Sequence, residues 1–195
     1  MLNSLILLIT AYLTGSINFP ILLFKLLGKD DPRNSFSGNP GTTNVYRQAG
    51  LAWAVVVLSL DLGRAVAIAF AAVHFVDARF ITWIGFTLIL GNRFPCFHGF
   101  KGGKGVANFL GFSAVLSFYT AILSGIAWLV VNFLSKKPFL ASFALVGILA
   151  AGTILLFQDS TVAIIGTVTT AIFIFWNHKK NLIEFKQEQA EKKST

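Results

Sequence analysis

The feature that most restricts this chain is its repeated apolar runs, most of them near the length that spans a bilayer and the third and fourth short of it, separated by short loops that hold nearly all the charge. The runs fall at about 4–27, 51–76, 80–92, 105–117, 119–134, 138–157 and 161–177. Hydrophobic residues make up 55% of the 195 positions and charged residues only 12%. That is roughly half the charged share of a soluble domain, too little to cover a water-facing surface. The sequence therefore predicts an all-α, polytopic membrane helical bundle. A water-soluble fold is excluded.

The number of spans turns on residues 105–134. As one helix they would be about 45 Å long, against a hydrocarbon core of about 30 Å. As two, they put the loops at 28–50, 93–104 and 135–137 and the C-terminal segment on one side. That side then holds fourteen of the sixteen Lys and Arg, all but Arg64 and Arg79. Cytoplasmic loops carry such an excess of cations. The expectation is seven transmembrane helices, N-terminus outside and C-terminus cytoplasmic. The N-terminal run has no charged leader and no evident cleavage site, so it reads as a retained span. Residues 1–185 form one transmembrane domain; residues 186–195, rich in Lys, Glu and Gln, read as a polar, disordered cytoplasmic tail.

A net charge of +8 and a pI near 9.9 would suggest nucleic acid for a soluble protein. Here the cations sit in short loops, and topology explains most of them. The single cysteine, Cys96, permits no internal disulfide. No Cys/His cluster has metal spacing, so neither metal nor cofactor is expected.

Two polar loops depart from the pattern, and both fall on the cation-rich side. Irregular backbone at membrane depth must be buried in protein or line a wet cavity, so a site between them is expected. In the first, Ser37-Gly38-Asn39-Pro40-Gly41-Thr42-Thr43-Asn44 is flanked by Arg33 and Arg47. Glycines let backbone N–H groups converge on an anion, and arginine grips phosphate with two parallel bonds. A turn-rich loop with ordinary helix caps reads equally well. The second holds Phe100-Lys101-Gly102-Gly103-Lys104-Gly105 just before an apolar run. Lys104 would then lie at a helix N-terminus, where open N–H groups favour an anion. No Ser or Thr follows Lys104, so this is not a Walker A loop.

At the end of the last run, His178 and Asn181 would share a helical face and could orient a hydroxyl, or His178 could serve only the helix dipole. His74 falls on the far side, and His98, in the second loop, is a weaker candidate. Asp61 and Arg64, three apart within an apolar run, read best as an ion pair that locks helix packing. Gly15, Ser16 and Asn18 form a small polar patch suited to close helix contact.

On these residues the chain resembles the bacterial acyl-phosphate:glycerol-3-phosphate acyltransferase family. The match runs through Tyr12-Leu13-x-Gly15-Ser16-Ile17, then Arg33 with Ser37 to Asn44, Val45, Arg47 and Gly50. It continues through Asp61 with Arg64, Gly91-Asn92 to Gly105, Ser142, and His178-x-x-Asn181. Phe36 stands where a glycine is common, Arg64-Ala65 where Lys-Gly is common, and Asn177 where an arginine is frequent. The resemblance implies acyl transfer from acyl-phosphate to sn-glycerol 3-phosphate, with membrane lipid as the surroundings, no nucleic acid partner, and a monomer. It implies catalytic roles for Lys104, His178 and Asn181. It implies substrate or phosphate binding by Arg33, Ser37, Gly38, Asn39, Gly41, Thr43, Asn44, Arg47, Lys101, Gly102, Gly103, Gly105 and Ser142. The His and Asp pair of soluble glycerolipid acyltransferases, five residues apart, is absent; His74 and Asp77 are spaced differently. An acyl-phosphate is already activated, so the protein would supply proximity and charge, with the substrate's own phosphate as proton acceptor. A transporter for a phosphorylated metabolite is the competing class. It would favour internal repeats and helices broken near the midplane, and no repeat is evident.

Overall fold

The computed structural model describes residues 2–194, whose regular secondary structure is all helical, with no strand among them. The helices are α1 (Leu2–Gly15), α2 (Phe19–Leu26), α3 (Thr42–Ala49), α4 (Leu51–Phe75), α5 (Ile81–Arg93), α6 (Val106–Leu116), α7 (Phe118–Ser135), α8 (Pro138–Leu156), α9 (Thr161–Asn177) and α10 (Lys179–Ser194). Four helical stretches are long and apolar enough to cross a membrane, beginning at Leu51, Ala78, Phe118 and Pro138. Two more qualify if each bent pair, α1 with α2 and α9 with α10, counts as one span. Residues 105–134 are two helices, as the charge argument requires, and they part at Ser117. At about 1.5 Å per residue, α6 is too short to cross the core by itself.

The outward faces show what solvent the fold needs. Along α7 only Ala121 and Ser124 are buried, while Ile122, Leu123, Ile126, Leu129, Val130, Phe133 and Leu134 lie open. In water that stripe would be a severe liability; hydrocarbon covers it without cost. With no hydrophobic drive between helices in lipid, close packing must hold the bundle. Glycines at the crossings permit it. A Cβ on Gly15 of α1 would lie 2.2 Å from the Leu88 carbonyl oxygen of α5. One on Gly91 of α5 would lie 2.2 Å from the Tyr12 carbonyl oxygen of α1. Helix α5 packs on α1, α4, α6 and α9.

The first apolar run is broken, with α1 and α2 meeting at about 40°. Asn18 caps α2 by accepting from the Ile21 N–H at 3.1 Å. The freed carbonyls at the end of α1 find their donor on α4. Arg64 reaches across to the carbonyl oxygens of Thr14 (3.1 Å), Gly15 (3.2 Å) and Ile17. It also bonds Asn108 of α6 (2.9 Å) and Asp61 (2.7 Å). The Asp61–Arg64 pair thus locks packing, and it does so by serving a helix break that the sequence had not disclosed.

The chain's end departs from expectation. Residues 186–194 continue α10 rather than forming a disordered tail. Lys, Glu and Gln are good helix formers, and Lys137 pairs with Glu188 while Phe139 meets the Phe185 ring at 5.6 Å.

Candidate active site

Both polar loops and the α9–α10 junction meet at one end of the bundle. Asn44, buried on α3, donates to the carbonyl oxygens of Pro32 (2.8 Å) and Ser35 (3.2 Å), folding the first loop back over its own helix. Arg33 then joins the loops. Its Nε and Nη2 bind Asp31, and its Nη1 donates to the carbonyl oxygens of His98 (2.9 Å) and Lys101 (3.1 Å). This side chain is a clamp, with each of its nitrogens already engaged. The guanidinium holds the Asp31 carboxyl below its ordinary range.

Helix α3 was not anticipated within the first loop. It begins at Gly41, which has no side chain to cap it, so the N–H groups that follow at Thr42 and Thr43 are presented as an anion site would need them. Gly38 takes φ 65°, and Gly41 leaves no room for a Cβ, which would lie 2.8 Å from the Asn39 amide nitrogen. Arg47 lies on the last turn of the same helix.

In the second loop the glycines serve close approach. The Gly102 N–H donates to the Arg93 carbonyl oxygen (3.0 Å) and the Gly103 N–H to that of Asn92 (2.9 Å). A Cβ on Gly102 would sit 2.0 Å from the Asn92 carbonyl oxygen; one on Gly105, at φ 90°, would sit 2.5 Å from Ile89 Cγ2. The loop is pressed onto the end of α5, which delivers Lys104 to the start of α6.

There Lys104 donates to Asn181 Oδ1, and the Asn177 amide donates to the Lys104 carbonyl oxygen at 3.3 Å. Burial lowers the Lys104 pKa to about 8. The fields of Arg93, Lys180 and Arg47 push the same way, and Glu184 opposes them. His178, buried at the 50° bend between α9 and α10, donates from Nδ1 to the Ile174 carbonyl oxygen (2.8 Å). A carbonyl can only accept, so Nε2 is the acceptor of the neutral ring. Phe143 packs edge-on against that ring at 5.4 Å. His178 and Asn181 therefore lie on either side of a bend, not on one continuous helix.

Beside this cluster, Arg33, Asn34, Arg93, Phe97, His98 and Lys101 line an open cavity of about 780 Å³, together with Asp31, Gly38, Gly99 and Gly102. Ser142 belongs to neither group: its Oγ donates to the Pro138 carbonyl oxygen (2.9 Å) and accepts from Trp128 (3.4 Å). His74 is remote, bonded to the Phe70 carbonyl oxygen of its own helix. Among the described residues no group of three or more His, Cys, Asp or Glu side chains is placed to hold a metal. Sequence reasoning missed Asn177, Glu184 and Arg93. Of these, Arg93 carried a signal as a cation within the second polar loop, and Asn177 as a departure from the family pattern just ahead of His178.

A family profile described as glycerol-3-phosphate acyltransferase matches residues 5–188. The chain belongs to the glycerol-3-phosphate acyltransferase family. A relative of that name from Pseudomonas putida (strain GB-1) is 38% identical over 173 residues, covering 88% of this chain and 90% of its own. One from Methylobacillus flagellatus is 35% identical over 185 residues, covering 93% and 92%. The fold matches two solved structures of PlsY (YgiH), an integral membrane glycerol 3-phosphate acyltransferase. Its glycerol 3-phosphate form superposes with a TM-score of 0.88 at 33% identity, covering 95% of this chain and 92% of that one. Its lysophosphatidic acid form gives 0.85 at 32%. This acyltransferase is accordingly an integral membrane enzyme.

Proposed function

We propose that this acyltransferase moves a fatty acyl group from a long-chain acyl-phosphate to sn-glycerol 3-phosphate, giving 1-acyl-sn-glycerol 3-phosphate and phosphate. The acceptor hydroxyl oxygen attacks the acyl carbon, the bond from that carbon to the phosphate oxygen breaks, and the hydroxyl proton leaves with the phosphate. The observation that carries this reading is the meeting of Lys104 with Asn181, beside the open Nε2 of His178, where two glycine-rich cationic loops converge. Lys104 and Arg47 offer charge to phosphate oxygens, and the uncapped start of α3, behind Ser37, Gly38, Asn39, Gly41 and Thr43, offers N–H groups. His178 and Asn181 orient the attacking hydroxyl. Asn44, Arg33, Gly102, Gly103 and Gly105 act by holding the loops in place, and Lys101 offers a further charge from the cavity wall. The acyl tail lies between apolar helix faces, and no protein base is required because the departing phosphate takes the proton.

The finer topology belongs to the same reading. It has seven spans, the fourth being the short α6 completed by the loop residues that lead into it, with the N-terminus outside and the site facing the cytoplasm of a bacterial inner membrane. The protein acts as a monomer, with the catalytic domain in residues 1–185 and a cytoplasmic extension in 186–195. The test is purified protein in liposomes with acyl-phosphate and glycerol 3-phosphate. Lysophosphatidic acid and phosphate should appear in equal amounts, and only when both substrates are present. Phosphate release without the glycerol substrate would make the protein a phosphatase and end this reading.

A further inference from the structure

Arg93 brings to the cavity a charge that none of the motif roles above uses. It ends α5, lines the cavity, and its Nε is buried without a hydrogen-bond acceptor. A buried guanidinium N–H left unmatched is costly unless a partner arrives. The bland account is a cation at a helix C-terminus, answering the last carbonyls. Three of those carbonyls already have donors: Phe94 N–H serves Leu90, Gly103 N–H serves Asn92, and Gly102 N–H serves Arg93 itself. The same bonds fix the Arg93 backbone, and the guanidinium carbon stands 5.5 Å from the Phe94 ring centroid. The other guanidinium of the cavity, Arg33, is engaged by Asp31, His98 and Lys101. Among the described cations of the cavity, Arg93 and Lys101 are thus the two with donors to offer an anion.

We propose that Arg93, with Lys101, is a ligand for the water-soluble phosphate monoester of the reaction: glycerol 3-phosphate on entry and inorganic phosphate before release. The proposal rests on the acyl-transfer reading above and adds the residue that recognises the soluble substrate. Apart from Phe97 and the glycines, every lining side chain is polar or charged, and no aliphatic side chain is among them, which suits a small hydrophilic anion better than a fatty chain. Lys104, His178 and Asn181 stand outside the lining. The cavity is therefore an antechamber to them. It is electrically coupled to the reaction centre, because Arg93 is one of the cations whose field lowers the Lys104 pKa. A dianion seated on Arg93 offsets that field, so arrival of the acceptor favours the charged form of Lys104.

The test compares wild-type, Arg93→Gln, Arg93→Lys and Lys101→Gln enzymes in liposomes, varying each substrate separately and adding inorganic phosphate as inhibitor. Arg93→Gln should raise both KM for glycerol 3-phosphate and the inhibition constant of phosphate by about tenfold or more, the scale of a lost charge-assisted hydrogen bond. KM for acyl-phosphate should stay within about twofold, and Arg93→Lys should recover part of the loss. If only the inhibition constant rises, the site serves product alone and the entry role is overturned. If neither constant moves, or both substrates suffer equally, the proposal is wrong. Should Arg93→Gln fail to fold, Lys101→Gln decides. Its side chain is exposed, and the same acceptor-selective rise of about threefold is expected; no change overturns the proposal. Wild-type enzyme that forms no lysophosphatidic acid would instead refute the underlying reading, before any variant is compared.

Discussion

Raising the pH from 7 to 9 should weaken this enzyme about tenfold through one lysine. Burial, with help from Arg93, Lys180 and Arg47, lowers the Lys104 pKa from 10.5 to about 8. About nine-tenths of the free enzyme then carries the charge at pH 7 and about one-tenth at pH 9. The protonated form is the one that attracts phosphate. The phosphate monoester is already close to its dianion above about pH 7, so the substrate's own ionisation does not account for a loss on the alkaline side. kcat/KM, which reports the free enzyme, should therefore fall roughly tenfold across that interval, where a solvated lysine would produce almost no change. The same displacement makes a second statement. The folded pKa lies below the unfolded one, so between about pH 8 and 10.5 the unfolded chain binds more protons, and stability rises with pH through that window. Below pH 8, holding Lys104 charged costs on the order of 3 kcal/mol, at about 1.4 kcal/mol per pKa unit. Lys104→Met should lose turnover at pH 7 yet unfold at no lower temperature in detergent. A flat kcat/KM profile from pH 7 to 9.5, or a Lys104→Met protein melting several degrees lower, would refute the argument.

Two further predictions concern the scaffold. Arg64→Met strands the buried Asp61 carboxylate and the carbonyls at the end of α1; it should cost about 3–5 kcal/mol, read as a lowered melting temperature in detergent. Replacing both Asp61 and Arg64 with leucine should recover part of that loss, and an Arg64→Met protein as stable as wild type would disprove the helix-break role. Phe36→Gly should stabilise by about 0.5–1 kcal/mol. Phe36 is an exposed side chain at φ 54°, where a Cβ is strained and the ring gains little packing in return. An unchanged or lower melting temperature would show that the ring is held by something outside the chain.

What lay open in the sequence is what neighbouring residues encode among themselves. The lengths of the apolar runs gave the membrane helices. The clustering of cations favoured two helices over one in residues 105–134, and the glycine and lysine spacing marked both loops and placed Lys104 ahead of α6. What only the tertiary structure decided is which donor meets which acceptor. Arg64 reads locally as half of an ion pair, but it serves carbonyls of the first helices, close to fifty residues away. Arg33 reads as a phosphate ligand, yet its nitrogens are engaged by Asp31 and the opposite loop. Ser142 reads as a site serine, yet its hydroxyl is spent within α7 and α8. Arg93 reads as a topology charge, yet its Nε is buried and unmatched beside the cavity. Periodicity and charge distribution are properties of adjacent residues, so the chain announces them directly. A hydrogen bond between segments depends on how helices cross, and that is settled by close packing among residues far apart in sequence.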